Sequence, residues 1–275
     1  MKARLRPGVL FRNTLVVLLT LLWIVPTYLV VVNAMTPVKS YTGSPVWWPT
    51  GFAFFSNVVQ GWQAGSFDQV FWNSVLYAVV GSGLAVALSS AAAFGLTIMP
   101  VRRPRLWFWL IYAGTLLPLQ VFAVPLYQAS AALGLYDTKT IMLIVYTALC
   151  IPFAFFITRN YLVTIPSEIG QAAKLDGASW WQMYLRVFLP LMRPALLAAF
   201  VFQFIYIWNE LFFGISLTIS AENQPVMAAL ASLQTQSSAL SQPAILATAV
   251  AVSAPAIIVF LVFQRFFVTG LTSNL

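Results

Sequence analysis

Residues Thr14–Met35 read TLVVLLTLLWIVPTYLVVVNAM, 22 positions without one Asp, Glu, Lys or Arg. A bilayer hydrocarbon core about 30 Å thick is crossed by about 20 apolar helical residues, so this stretch reads as a membrane span. A basic segment precedes it, and Val32-Asn33-Ala34 loosely imitates a cleavage site. Its apolar run nevertheless exceeds the roughly 7–15 residues of a signal-peptide core, and a retained helix is expected. Five further stretches are similarly apolar and contain no Lys or Arg: Phe71–Met99, Leu106–Ala131, Thr140–Thr158, Ala195–Ser220 and Ala244–Val268.

The composition of the whole chain agrees. Of 275 residues, 61% are apolar and 7% are charged, with a mean hydropathy of +0.88. Soluble domains run at roughly 45–50% apolar and about 25% charged, so too little polar side chain is present to cover a water-facing globule. The expected fold class is an all-α membrane protein with six transmembrane helices. Its net charge of +8 comes from basic residues placed almost entirely in alternate connections. Lys2, Arg4, Arg6 and Arg12 precede the first span, and Arg102, Arg103 and Arg105 follow the second. Arg159, Lys174, Arg186 and Arg193 lie between the fourth and fifth, and Arg265 closes the last. Only Lys39 and Lys139 fall on the other side, a bias of 12 against two. The positive-inside rule places both termini and the basic loops in the cytoplasm. The charge is therefore topology, and no nucleic-acid partner is expected.

The same counts remove whole classes of chemistry. Without His there is no imidazole metal site and no Ser-His or Cys-His nucleophile. The single Cys150 sits in an apolar run and forms no internal disulfide. Six carboxylates (Asp68, Asp137, Glu168, Asp176, Glu210 and Glu222) include no pair close in sequence that suggests acid–base work. No cofactor and no metal are expected on this chain.

The expected organisation is a cytoplasmic tail (1–13), a first helix (14–35), an extracytoplasmic loop (36–70), a five-helix core (71–268) and a tail (269–275). Within the long outer loop, Pro and Gly mark turns and Phe54–Trp62 reads as a short amphipathic helix. In the second span Gly83, Ala87, Ala91 and Gly95 recur every four residues, a small-residue stripe that lets another helix approach closely.

The least lipid-like segment after that loop is 159–193. Ser167 is placed to cap a short helix, with Glu168 in its first turn and Gly177 to stop it in the left-handed conformation. Ile169, Ala172, Ala173 and Asp176 fall on one face. Ser179-Trp180-Trp181-Gln182 reads as a capping box opening a second helix toward Pro190.

The run Glu168-Ile169-Gly170-Gln171-Ala172-Ala173-Lys174-Leu175-Asp176-Gly177-Ala178, continuing to Phe188-Leu189-Pro190, resembles the EAA loop of ABC-importer permeases. The sugar-importer branch, typified by the second permease of the maltose system, is the most similar. Asn73-Ser74, Leu117-Pro118, Leu133-Gly134-Leu135, Trp208-Asn209-Glu210 and the ending from Gln264 to Leu271 agree with it, so the resemblance covers nearly the whole chain. Gln171 departs from the motif's usual Glu. The resemblance implies a type I ABC-importer permease in a bacterial inner membrane. It implies that Glu168, Gln171, Ala172, Ala173, Asp176, Gly177, Ala178 and Pro190 couple to a cytoplasmic ATPase. It also implies a second homologous permease, two ATPase copies carrying ATP and Mg, and an extracytoplasmic solute-binding protein. In keeping with that, the chain has no G-x-x-x-x-G-K-[ST] run.

Glu210 is the one carboxylate inside an expected span. It lies about 22 Å along its helix from Ala195 at 1.5 Å per residue, and should face protein or water rather than lipid. It is expected, with Trp208 and Asn209, to contact the pathway or the partner permease; an interfacial charge is the alternative. Two alternatives to a sugar importer stay open at this level, an ion-coupled secondary transporter and an ABC permease for another solute.

Overall fold

The computed structural model describes residues 7–235 and 240–272, and side chains from Gly8 to Gln264 within that range. Lys2, Arg4, Arg6 and the last residues of the expected tail lie outside the described residues, as does the side chain of Arg265. Among the described residues every regular element is helical. The chain divides into two compact units, Met1–Gly65 with Leu230–Ser253, and Ser66–Ala229 with Ala254–Leu275.

The first unit begins with α1 (Pro7–Met35), whose apolar surface is almost wholly exposed until Val32. The loop after it is tied down by hydrogen bonds. Asn33 Nδ2 donates to the Val46 carbonyl at 3.0 Å and Asn33 Oδ1 accepts from Val46 N–H at 2.8 Å. Tyr28 Oη donates to the Trp47 carbonyl at 2.8 Å. The expected amphipathic helix forms as α2 (Phe54–Ala64). Its buried Asn57 donates to the carbonyls of Ala34 and Thr36, both at 2.9 Å, and so satisfies carbonyls at the buried C-terminal end of α1. Gly61 of α2 lies against Thr248; a Cβ there would stand 2.0 Å from Thr248 Oγ1.

The second unit holds α3 (Phe67–Ile98), α4 (Pro104–Ala113), α5 (Ala123–Ala132), α6 (Lys139–Leu162), α7 (Ser167–Leu175), α8 (Trp180–Leu191), α9 (Arg193–Trp208) and α10 (Phe212–Leu217). α11 (Val226–Thr235) and α12 (Gln242–Thr272) follow. α3 and α6 form the most extensive pair, with α9 laid against both. Small residues permit this: Ala85, Ala93, Ala154 and Ala199 are buried at the contacts. Ser89 Oγ donates to the Ile151 carbonyl at 2.9 Å and Gln203 Nε2 to the Cys150 carbonyl at 3.1 Å, beside Pro152 in α6. α3 widens into a π-type turn at Tyr77–Gly81, where the Tyr77 ring meets the edge of Tyr146 at 5.8 Å.

Three expectations are corrected. The small-residue stripe is not the packed face of α3. Ala87 and Ala91 are exposed, nothing lies within 4 Å of a Cβ at Gly83 or Gly95, and the adjacent face carrying Ser82, Ala85, Val86 and Ser89 is buried instead. The stretch Leu106–Ala131 is not one helix: α4 and α5 are separated by residues 114–122, including a 3-10 turn at Leu119–Phe122. Pro118 supplies no N–H and pushes Leu117 out of helical geometry, which stops α4 from continuing. The stretch Ala195–Ser220 is interrupted between Trp208 and Phe212. Among the described residues four helices are able to cross a bilayer by length and composition, Gly8–Met35, Phe67–Ile98, Lys139–Leu162 and Gln242–Gln264, with a fifth if the pair α8 and α9, bent by 74°, is one broken span.

At the other end of α6 from α7, the connection between α10 and α11 is held by side chains. Asp137, at φ +55°, accepts from Ile219 N–H at 2.9 Å and Ser220 N–H at 3.2 Å. Partial burial works against its charge, but these bonds outweigh it and hold the Asp137 carboxyl below the usual carboxylate range. Asn73 donates to the carbonyls of Ala221 and Gln224, both at 3.1 Å.

Candidate functional site

α7 and α8 form a hairpin at the end of the α3/α6 bundle. α7 starts one residue earlier in its logic than the sequence suggests: Pro166 occupies the capping position at φ −55° and ψ 135°, and Ser167 is already helical with no capping bond. The C-terminal end follows the expectation. Gly177 adopts φ +76°, its N–H donates to the Lys174 carbonyl at 3.0 Å, and Ala178 N–H donates to the Ala173 carbonyl at 3.0 Å. These two bonds are the Schellman closure, which an L side chain at position 177 would strain. The capping box is present: Gln182 N–H donates to Ser179 Oγ at 3.3 Å and Ser179 N–H to Gln182 Oε1 at 2.9 Å. Lys174 Nζ stands 4.5 Å from the Trp180 ring centroid and braces the turn.

The predicted face of α7 splits in two. Ala173, 9% exposed, packs inward among Phe188, Met183 and Leu162, and Ile169 is half-buried. Glu168, Gln171, Ala172, Asp176 and Gly177 are exposed, and Ala178 and Pro190 are half-buried. Two residues that the motif reading did not single out dominate the outer surface: Leu175 is 90% exposed and Trp181 is 66% exposed. A large apolar residue at the last position of a short polar helix was the available signal for Leu175.

The hairpin is anchored to the bundle. Phe94 of α3 meets Tyr184 and Phe188 at ring distances of 5.3 and 5.4 Å. Tyr184 Oη and Ser90 Oγ share a buried 2.7 Å hydrogen bond. The segment Met183–Phe188 is a widened π-type turn, after which the chain bends by 74° into α9. A displacement of the hairpin therefore has a packed route to α3 and a covalent one to α9.

Glu210 lies at the far end of α9 and is 8% exposed. Its carboxylate accepts from Tyr146 Oη at 3.0 Å, from Phe213 N–H at 3.0 and 3.2 Å, and from Gly214 N–H at 3.3 Å. It caps α10 and ties it to α6, which explains the interruption of the fifth apolar stretch: the carboxylate satisfies amides that a continuous helix would bond to its own carbonyls. Trp208 is 1% exposed, parallel to Phe204 at 5.8 Å and edge-on to Phe71 at 5.7 Å. Asn209 is exposed and donates to the Ile205 carbonyl at 2.8 Å. The two groups of predicted site residues thus sit at opposite ends of α9, and nothing brings them together. Among the described residues there is no cluster of three His, Cys, Asp or Glu that would hold a metal ion.

Apolar helices long enough to cross a bilayer, with a polar hairpin anchored to their end, mark the chain as a membrane protein with one surface made for water. Residues 83–273 match the family described as binding-protein-dependent transport system inner membrane component, and the chain belongs to it. It is 32% identical over 219 residues to the probable ABC transporter permease protein YurM of Bacillus subtilis, covering 79% of this chain and 72% of that one. It is 27% identical over 256 residues to the diacetylchitobiose uptake system permease protein NgcG of Streptomyces coelicolor, covering 92% and 84%. A chain of a bacterial ABC transporter involved in import of the acidic polysaccharide alginate shares the fold, with a TM-score of 0.80 at 23% identity over 94% of this chain and 95% of that one.

Proposed function

We propose that the chain is a six-span permease subunit of an ATP-driven importer for a carbohydrate or related solute. In this reading 159–193 and both termini lie in the cytoplasm of a bacterial-type inner membrane, and the broken pair α4 and α5 supplies the sixth crossing. The 12-to-two bias of basic residues supports the orientation. The uptake activity in the name of the Streptomyces relative supports the solute class.

The coupling role is carried by one observation, the two-sidedness of the hairpin. Its inner face is locked to α3 through Phe94 and Ser90, while its outer face presents Leu175, Trp181 and the small Ala172. A leucine 90% exposed on a polar helix gains by insertion into a partner's pocket. That partner is the ATPase, which carries ATP and Mg. Glu168, Gln171 and Asp176 rim the contact, Gly177 and Ala178 close the helix, and Pro190 sets the exit toward the bend. Gln171, in place of an acidic residue, keeps hydrogen-bonding capacity without charge. ATP-driven closure of two ATPase copies would move α3 and α9 through the anchors described. A second permease completes the pathway, and an external binding protein delivers the solute. Glu210 and Trp208 hold the wall in shape, and Asn209 is the member of that trio open to the pathway or the second permease.

Co-purification tests the reading. The tagged chain should capture the ATPase encoded with it, and Gly177→Asp, which strains the closure, should depress solute uptake. No captured ATPase together with unchanged uptake would overturn it. Uptake into vesicles driven by an ion gradient without ATP would favour a secondary transporter instead.

A further inference from the structure

Between the ends of α3, α4 and α6, on the same end of the bundle as the hairpin, lies a cleft of about 230 Å³. It is lined by Thr97, Arg105, Phe108, Trp109 and Arg159, among others. Arg159 as a residue is half-buried, and its guanidinium rests 4.9 Å from the Phe108 ring centroid. Its one hydrogen bond, to the neighbouring Asn160 Oδ1, is long at 3.5 Å. Among the described residues neither Arg159 nor Arg105 meets a carboxylate. Thr97 Oγ1 is buried with no hydrogen-bond partner. The cleft also opens at the N-terminus of α4, reached through Arg103 at φ +60°, so the positive end of a ten-residue helix adds to the field. Trp109, 61% exposed, extends from it along α4 among exposed Leu106 and Leu110.

We propose that this cleft binds the phosphate of an anionic phospholipid headgroup. Two guanidiniums supply forked donors matched to phosphate oxygens. Trp109 and the leucines of α4 lie where acyl chains would run. Basic pockets between membrane helices select anionic lipid in this way, because two cations on one cleft without a carboxylate between them gain from a shared counter-charge. The orientation proposed above would put this lipid in the inner leaflet; the binding itself does not rest on that orientation.

The test is native mass spectrometry of the delipidated full chain in neutral detergent, titrated with phosphatidylglycerol or with phosphatidylcholine. The chain should retain phosphatidylglycerol preferentially, Arg105→Gln and Arg159→Gln should each weaken retention about fivefold, and the double variant about thirtyfold. Arg159→Lys keeps the charge and loses the fork, so it should be intermediate, while Arg102→Gln, outside the cleft, should bind like the parent chain. Unchanged thermal midpoints establish that the variants are folded. Equal retention of both lipids, or equal retention of phosphatidylglycerol by the double variant and the parent, would overturn the proposal. So would displacement of the lipid by millimolar glycerol phosphate, since a free phosphate ester would then be the ligand. Failure here leaves ATPase capture by the hairpin untouched, and the reverse also holds.

Discussion

Replacing Leu175 by Ser separates recognition from folding in the hairpin. The side chain is 90% exposed, so its removal takes almost nothing from the chain's own packing. Surface changes of this kind stay within about 0.5 kcal/mol of the parent. If the residue inserts into the ATPase, nearly its whole surface remains to be buried, and full burial of a leucine contributes about 1.5–3 kcal/mol. Loss of roughly 2 kcal/mol weakens association about thirtyfold. Ala173, two residues earlier and 9% exposed among Met183 and Phe188, provides the opposite case. Ala173→Leu forces extra volume into a packed site, which costs about 1–3 kcal/mol of the chain's stability. The assay pairs a binding titration of purified ATPase on the immobilised, detergent-solubilised chain with a thermal melt of that chain. Leu175→Ser should lose affinity at an unchanged midpoint, and Ala173→Leu should lose midpoint. Wild-type affinity for Leu175→Ser would refute the insertion argument, and a lowered midpoint would show that its exposure was misjudged.

Three further outcomes are expected. Glu210→Ala strands two backbone amides and the Tyr146 hydroxyl, so thermal unfolding in detergent should show a loss of at least about 2 kcal/mol, with Tyr146→Phe costing less because only one donor is removed. Gly61→Ala would place a Cβ 2.0 Å from Thr248 Oγ1 and 2.9 Å from the Ala244 carbonyl, so α2 must move; Thr248→Ala in the same chain should restore part of the lost midpoint by removing the nearer atom. Asp137 has a lowered folded pKa, so its stabilisation is present above the ordinary carboxylate range and is lost as pH falls through the folded value. Asp137→Asn should flatten that part of the acid limb in a pH series of thermal midpoints, and a limb of unchanged slope would count against the clamp on Ile219 and Ser220.

Much of this was legible in the sequence because its signals are local. Gly177 and the Ser179–Gln182 box act within a few residues, and each closes as the spacing implies. Apolar length marked α1, α3, α6 and α12 for the same reason. The failures share a different cause. The stripe of Gly83, Ala87, Ala91 and Gly95 has small-residue spacing, but which face of α3 is buried depends on the positions of α6 and α9. The break at 114–122 was invisible to hydropathy, since Pro118 is one uncharged residue among apolar neighbours and disrupts by geometry.

By itself the sequence determined that this chain is made for lipid and that its basic residues gather in alternate connections between the apolar stretches. Those conclusions depend on composition and on order along the chain, which folding does not alter. Tertiary structure alone decided that Leu175 points out while Ala173 points in, that the carboxylate of Glu210 is occupied as a cap, and that Arg105 and Arg159 line one cleft from helices more than fifty positions apart in sequence. Each of these is a matter of which groups meet across distant segments, and neither charge nor periodicity encodes that meeting until the helices have packed.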